Sequence, residues 1–98
     1  MSSYNIIWSP RAKITYYQIL EYLESNWTIT EIKAFINRTD YVIEHISQSP
    51  LHYPYSRKSD TYKCVLAKQV SLFYRIKQQE IELLIFWDNR QNPAKLVL

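Results

Sequence analysis

The chain has no glycine in 98 residues, where an average sequence of that length carries about 7. Without glycine there is no glycine-rich phosphate loop, no dinucleotide-binding fingerprint and no nucleophile elbow of the usual form. Each of these needs backbone conformations or close approaches that glycine provides. Turns fall instead to Asn, Asp, Ser and Pro, with Asp88-Asn89 and Asn92-Pro93 as the clearest instances. Cysteine is almost as scarce. Cys64 stands alone, which excludes an internal disulfide and any multi-cysteine zinc site, and its inward strand parity predicts a small buried hydrophobe. The two histidines, His45 and His52, are not tied to any nucleophile, and the chain offers too few ligands at repeating spacings for a metal site. No apolar run approaches the ~18 residues of a membrane span. The start, Met-Ser-Ser-Tyr-Asn, has no charged n-region or apolar h-region, so the expectation is a cytoplasmic protein with no cofactor.

What is present fits one globular domain over residues 1–98. Apolar residues make up 47% of the chain, and its length clears the ~40 residues below which disulfide or metal staples become necessary. The net charge of +3 is unevenly placed: residues 1–60 hold six Lys/Arg against six Asp/Glu, whereas 61–98 hold six against three. A basic surface of this kind favours nucleic acid or an acidic protein segment as partner.

The chain is organised around Thr61 to Pro93. At a period of two, Tyr62, Cys64 and Leu66 share one face of a strand, Val70, Leu72, Tyr74 and Ile76 one face of a second, and Ile81, Leu83, Ile85 and Trp87 one face of a third. Lys77-Gln78-Gln79-Glu80 is short enough for a hairpin, so the three strands form an antiparallel meander. Ahead of it, Tyr4 to Trp8 reads as a first strand. Ser9-Pro10 then starts a helix whose stripe is Ala12, Tyr16, Ile19, Leu20, Leu23 and Trp27. Thr28-Ile29-Thr30-Glu31 has capping-box spacing for a second helix, with Ile32, Phe35, Ile36, Thr39, Ile43 and Ile46 on its stripe and a stop at Ser49-Pro50. Leu51 to Asp60 reads as a loop. The fold class expected is α+β: a strand, a two-helix hairpin, then a three-stranded antiparallel meander. Leu72, Tyr74, Leu83, Ile85 and Trp87 are expected beneath the helices.

The opposite parity of the meander collects Lys63, Val65, Ser71, Phe73, Arg75, Leu84, Phe86 and Asp88, with Arg90 just past the strand end. A face turned only to water has no use for two phenylalanines, and one packed wholly into a core does not tolerate unpaired Lys63 and Arg75. This face is the candidate site. The plainer alternative is a half-solvated sheet stiffened by aromatic cross-strand pairs.

Order and motifs together resemble the RelE/ParE superfamily of bacterial toxins from type II toxin-antitoxin systems. The similarity rests on Ile7-Trp8-Ser9-Pro10-Arg11-Ala12, Tyr62-Lys63-Cys64-Val65-Leu66, Leu72-Phe73-Tyr74-Arg75-Ile76 and Phe86 to Pro93. The resemblance implies a cognate antitoxin as partner, and a toxic action of one of two kinds: cleavage of ribosome-bound messenger RNA, or inhibition of DNA gyrase. Lys63 matches a family lysine and Arg90 the arginine after the last strand, so Lys63, Arg90 and, by alternation, Arg75 are the candidate catalytic cations. Phe73, Phe86, Asp88 and Asn89 are the candidate target-binding surface. Val65 replaces the family's second lysine, Ser71 stands at the central arginine, and Ala94 to Leu98 lacks the catalytic tyrosine. Those departures favour gyrase over the nuclease reading, with a toxin fold that has lost activity as a further alternative, and leave open whether the chain is an enzyme.

Overall fold

The computed structural model describes residues 3–98; Met1 and Ser2, part of the start read above as lacking a leader, lie outside the described residues. Strand β1 (Asn5–Trp8) leads into helix α1 (Pro10–Asn26) and helix α2 (Ile29–Gln48). After a 3-10 turn at Pro50–His52 come β2 (Tyr55–Ser56), β3 (Thr61–Ala67), β4 (Val70–Lys77) and β5 (Glu80–Asp88), then a second 3-10 turn at Pro93–Lys95. The sheet order is β1-β5-β4-β3-β2, with β1 parallel to β5 and the other pairs antiparallel. The expected meander is therefore the centre of a five-stranded sheet, and the stretch read as loop from Leu51 to Asp60 contributes the short edge strand β2. Among the described residues no helix is long and apolar enough to cross a membrane.

Local chemistry sets the helix ends. The Ser9 side chain accepts from the Ala12 amide at 3.0 Å, and Pro10 takes the first helical position, where its missing N–H costs nothing. Thr28 and Glu31 form both halves of the capping box, at 3.2 and 2.9 Å. α1 also closes the sheet. Beyond Trp8 the outer edge of β5 has no strand beside it among the described residues; there the Ser9 hydroxyl donates to the Leu84 carbonyl at 3.1 Å and Thr15 Oγ1 accepts from the Phe86 amide at 3.0 Å. Two hydroxyls thus satisfy backbone groups that would otherwise form an open edge.

The helices cover one face of the sheet. Ala12, Ile19 and Leu23 of α1 and Phe35, Val42 and Ile46 of α2 pack with Cys64, Leu66, Val70, Leu72, Tyr74, Ile81, Leu83 and Phe86. The Tyr74 hydroxyl, fully buried, donates to the Pro50 carbonyl at 2.5 Å. Arg38 Nε donates to the Leu66 carbonyl at 2.8 Å and ties α2 to β3.

One expectation is corrected. Leu72, Tyr74 and Leu83 lie beneath the helices, but Ile85 and Trp87 form a separate cluster with Phe73. The pairing explains this. Phe73 opposes Ile85 and Tyr74 opposes Leu83, so Leu84 is an extra residue in β5. A bulge of one residue inverts the alternation on its far side: Ile85 and Trp87 turn to the open face, and Phe86 turns under α1.

The lack of glycine leaves a mark at the β4–β5 hairpin. Gln78, in the two-residue connection, has φ 58°, and Asp60 before β3 has φ 54°. Left-handed backbone costs a residue with a Cβ about 1–2 kcal/mol, less for Asp, whose short side chain bonds locally.

Candidate functional site

The open face of the sheet carries Lys63, Val65, Phe73, Arg75, Ile85 and Trp87. β3 places Lys63 opposite Phe73, and the ammonium lies 5.9 Å from the Phe73 ring centre, within reach of a weak cation–π attraction. Phe73, Ile85 and Trp87 are buried although no helix covers them; Leu96, after the last 3-10 turn, packs against them.

Arg75 shares this face, as alternation predicts, but its guanidinium is engaged by the segment before β3. It donates to the carbonyls of Asp60 at 3.1 Å and Ser59 at 3.0 Å, with the Asp60 carboxylate at 3.8 Å. Arg90 lies at the other end of the sheet. Its side chain grips both oxygens of Asp88, at 3.0 and 2.7 Å, and its backbone amide donates to the same carboxylate at 2.9 Å. The guanidinium also donates to the Tyr22 hydroxyl at 2.5 Å and sits 4.4 Å from the Tyr22 ring centre. Arg90 holds the Asp88 carboxyl below its ordinary range, chiefly by the side-chain hydrogen bond.

The cations therefore do not converge. Val70 opposes Asp88, so Arg75 lies five residues along β4 from the level of Asp88, roughly 17 Å at the rise of a strand. Lys63 falls between them. Arg75 turns toward Ser59 and Asp60, whereas Arg90 turns toward α1. Of the aromatic pair assigned to the target surface, Phe73 is on the open face. Phe86 is not: it is 2% exposed, with ring centres 5.3 Å from Trp8 and 4.8 Å from Tyr16, because the bulge at Leu84 turns it inward. Asn89 is exposed and structural in part, accepting from the Ser71 hydroxyl at 3.0 Å. Ser71, at the position of a family arginine, is fully buried and offers the open face no charge.

Periodicity missed three participants: Ile85 and Trp87, hidden by the bulge, and Tyr22, whose place off the core stripe of α1 was the available signal. A cleft of about 330 Å³ between α1 and the end of β5 contains Asp88 as its one carboxylate and no histidine. With that carboxylate bound to Arg90, the cleft has no acid–base pair. Elsewhere, His45 Nδ1 lies 3.0 Å from the Tyr53 hydroxyl and its ring 5.2 Å from that of His52. Burial pushes the Cys64 thiol up, which keeps it protonated and unreactive. Among the described residues no group of three or more His, Cys, Asp or Glu is placed to hold a metal.

A helix hairpin packed on one face of a mostly antiparallel sheet is a fold this chain shares with solved RelE/ParE-like structures. No protein-family model matches the chain, and no curated protein does either. Solved structures do. A chain of the chromosomal ParDE toxin-antitoxin system from P. aeruginosa superposes with a TM-score of 0.72 at 13% identity, covering 88% of this chain and 96% of that one. The YoeB dimer from Staphylococcus aureus gives 0.59 at 15% identity, covering 88% and 97%. The YoeB/ParE toxin from Agrobacterium tumefaciens gives 0.57 at 10% identity, covering 86% and 97%.

Proposed function

We propose that residues 1–98 are a single toxin domain of a type II toxin-antitoxin system, neutralised by a cognate antitoxin, and that it acts in the cytoplasm as ParE-like toxins do, on DNA gyrase. The observation that carries the choice of target is the separation of Lys63, Arg75 and Arg90. Stabilising a pentavalent phosphate demands cationic donors aimed at one small volume, and loss of one such donor costs about 3 kcal/mol of barrier. Here two of the three cations are held by partners at opposite ends of β4. In place of a phosphate cradle the open face has Phe73, Ile85 and Trp87 with Lys63 beside them, the aromatic-plus-cation composition of protein interface anchors. No cofactor enters this reading. For the antitoxin, exposed Ile14 and Tyr17 on α1 and the outer edge of β1 offer an apolar helix face beside an unpaired strand.

Expression of the chain in bacteria tests this. Growth should stop, co-expression of the partner encoded beside it should restore growth, and DNA breaks with a DNA-damage response should accompany the arrest while messages stay whole. Lys63→Ala, on the open face, should relieve the breaks. Site-specific cuts in ribosome-bound message made by purified protein, and absent from the Arg90→Ala variant, would establish the nuclease reading instead. Unimpaired growth with soluble protein present would count against any toxin.

A further inference from the structure

The chain leaves the sheet at Asp88 and then comes back over it. Asn92 caps the 3-10 turn at Pro93–Lys95, its side chain accepting from the Ala94 amide at 3.0 Å. Leu96 then packs on Phe73, Ile85 and Trp87. One residue further, the Val97 carbonyl accepts from Arg11 on the first turn of α1, at 2.5 Å. The segment thus crosses from the end of β5 to the start of α1, over the cluster of Phe73, Ile85 and Trp87, which the helices do not cover.

Its attachments are few. Among the described residues, the backbone–backbone hydrogen bonds made from Asn92 onward stay inside the turn: Lys95 to Asn92 at 2.9 Å and Leu96 to Pro93 at 3.0 Å. No strand pairing holds the segment to β5. Val97 is 69% exposed, so one side chain and one carbonyl do the fastening. The surface beneath is of the opposite kind: Phe73, Ile85 and Trp87 are each under 10% exposed and lie on β4 and β5, strands paired on both sides. A weakly held cover over a preformed apolar cluster is what a displaceable occupant requires, since elements that move come from the low-stability end of a structure.

We propose that residues 93–98 are a strap that occupies the target-docking surface in the free chain, with Leu96 in the place that an apolar side chain of the protein target takes when the strap lifts. The inference rests on the reading of the open face as the target-binding surface. Lys63, over Phe73 at the edge of the cluster, favours an acidic neighbour beside that apolar side chain. Target and strap compete for one site, so anything that loosens the strap raises apparent affinity by the fraction of chains it opens.

The test uses the full chain with Leu96→Asp, Arg11→Ala and, as a control on the same segment, Lys95→Ala. 8-Anilinonaphthalene-1-sulfonate fluorescence reports the uncovered cluster, far-UV circular dichroism reports folding, and the expression level needed to arrest growth reports activity. Leu96→Asp should raise dye fluorescence about threefold with the dichroism unchanged, and lower the arresting level by a similar factor. Arg11→Ala should move both readouts in the same direction by less, and Lys95→Ala should move neither. Should Leu96→Asp lose its dichroism, Arg11→Ala decides alone. Unchanged dye binding overturns the strap. So does greater dye binding with weaker growth arrest, because Leu96 would then belong to the docking surface instead of covering it. If the wild-type chain arrests nothing, the toxin reading fails, and the dye result still decides whether the segment lifts.

Discussion

The two faces of the sheet bury apolar side chains by different means. On the helix side, α1 and α2 lay complementary stripes on β3, β4 and β5, and every polar intrusion is matched, as with Tyr74 donating to Pro50 and Thr39 to Phe35. On the other side three side chains, Phe73, Ile85 and Trp87, are covered by one leucine from a segment with no strand pairing. The first arrangement makes a stable fold. The second stores an apolar surface that is unnecessary for holding the helices, and the bulge at Leu84 is what divides β5 between them. A regular β5 would send Ile85 and Trp87 under α1 and leave Phe86 outside.

Phe86→Asp is the harshest way to break that division. It puts a carboxylate under α1 in place of the ring that contacts Trp8 and Tyr16, a burial that costs several kcal/mol or unfolds the chain. We expect loss of cooperative unfolding in thermal or urea melts; a melt close to wild type would show that the bulge does not turn residue 86 inward. Next in size is truncation on each side. Leu83→Ala, in the fully buried helix face, should cost about 3 kcal/mol through the cavity left behind. Ile85→Ala should cost less, about 2 kcal/mol, because the strap can settle into the space. Equal costs in urea titrations would erase the distinction between the faces.

Tyr74→Phe sharpens the comparison chemically. It leaves the Pro50 carbonyl without its donor, at a cost of about 1–2 kcal/mol. It also changes the alkaline limb. Burial, with a smaller push from neighbouring Cys64, raises the Tyr74 phenol above its ordinary value of 10.0. The stabilisation is therefore complete below that value and is lost as pH climbs past it, because the unfolded chain ionises first. Wild-type stability should fall above pH 10 or so, and the Phe variant should fall less steeply. The smallest effect belongs to Arg90→Ala. The Asp88 carboxyl is depressed by Arg90, so the ion pair stabilises above the ordinary carboxyl range and is lost as pH falls through the lowered value. The pair is partly exposed, and solvent screening keeps its worth small. Stability at neutral pH should barely move, and the difference between wild type and variant should shrink as the pH falls through the lowered Asp88 value.

How much could be read from the residues alone follows from how local each determinant is. Ser9-Pro10 and Thr28 to Glu31 specify helix starts within four residues, and both caps formed where the sequence placed them. The order of elements and the inward faces of β3 and β4 were legible for the same reason. The bulge was not, because nothing in Ile81 to Trp87 records it; it exists only in the pairing of β5 with β4. Arg90 and Tyr22 are 68 residues apart, and Arg75 meets Ser59 and Asp60 only after β3 has folded beside β4. The cations were identified as a set by parity, but partners remote in sequence decide where each one points.

The pairing of β1 with β5 joins Asn5–Trp8 to residues 80–83, near the two ends of the chain. During synthesis, at roughly 5–20 residues per second, β1 leaves the ribosome some 4–15 s before its neighbour exists. α1 packs on β5 as well, so both the parallel closure and the seat of the first helix wait for β5. Neither face of β5 is defined until the last third has been translated.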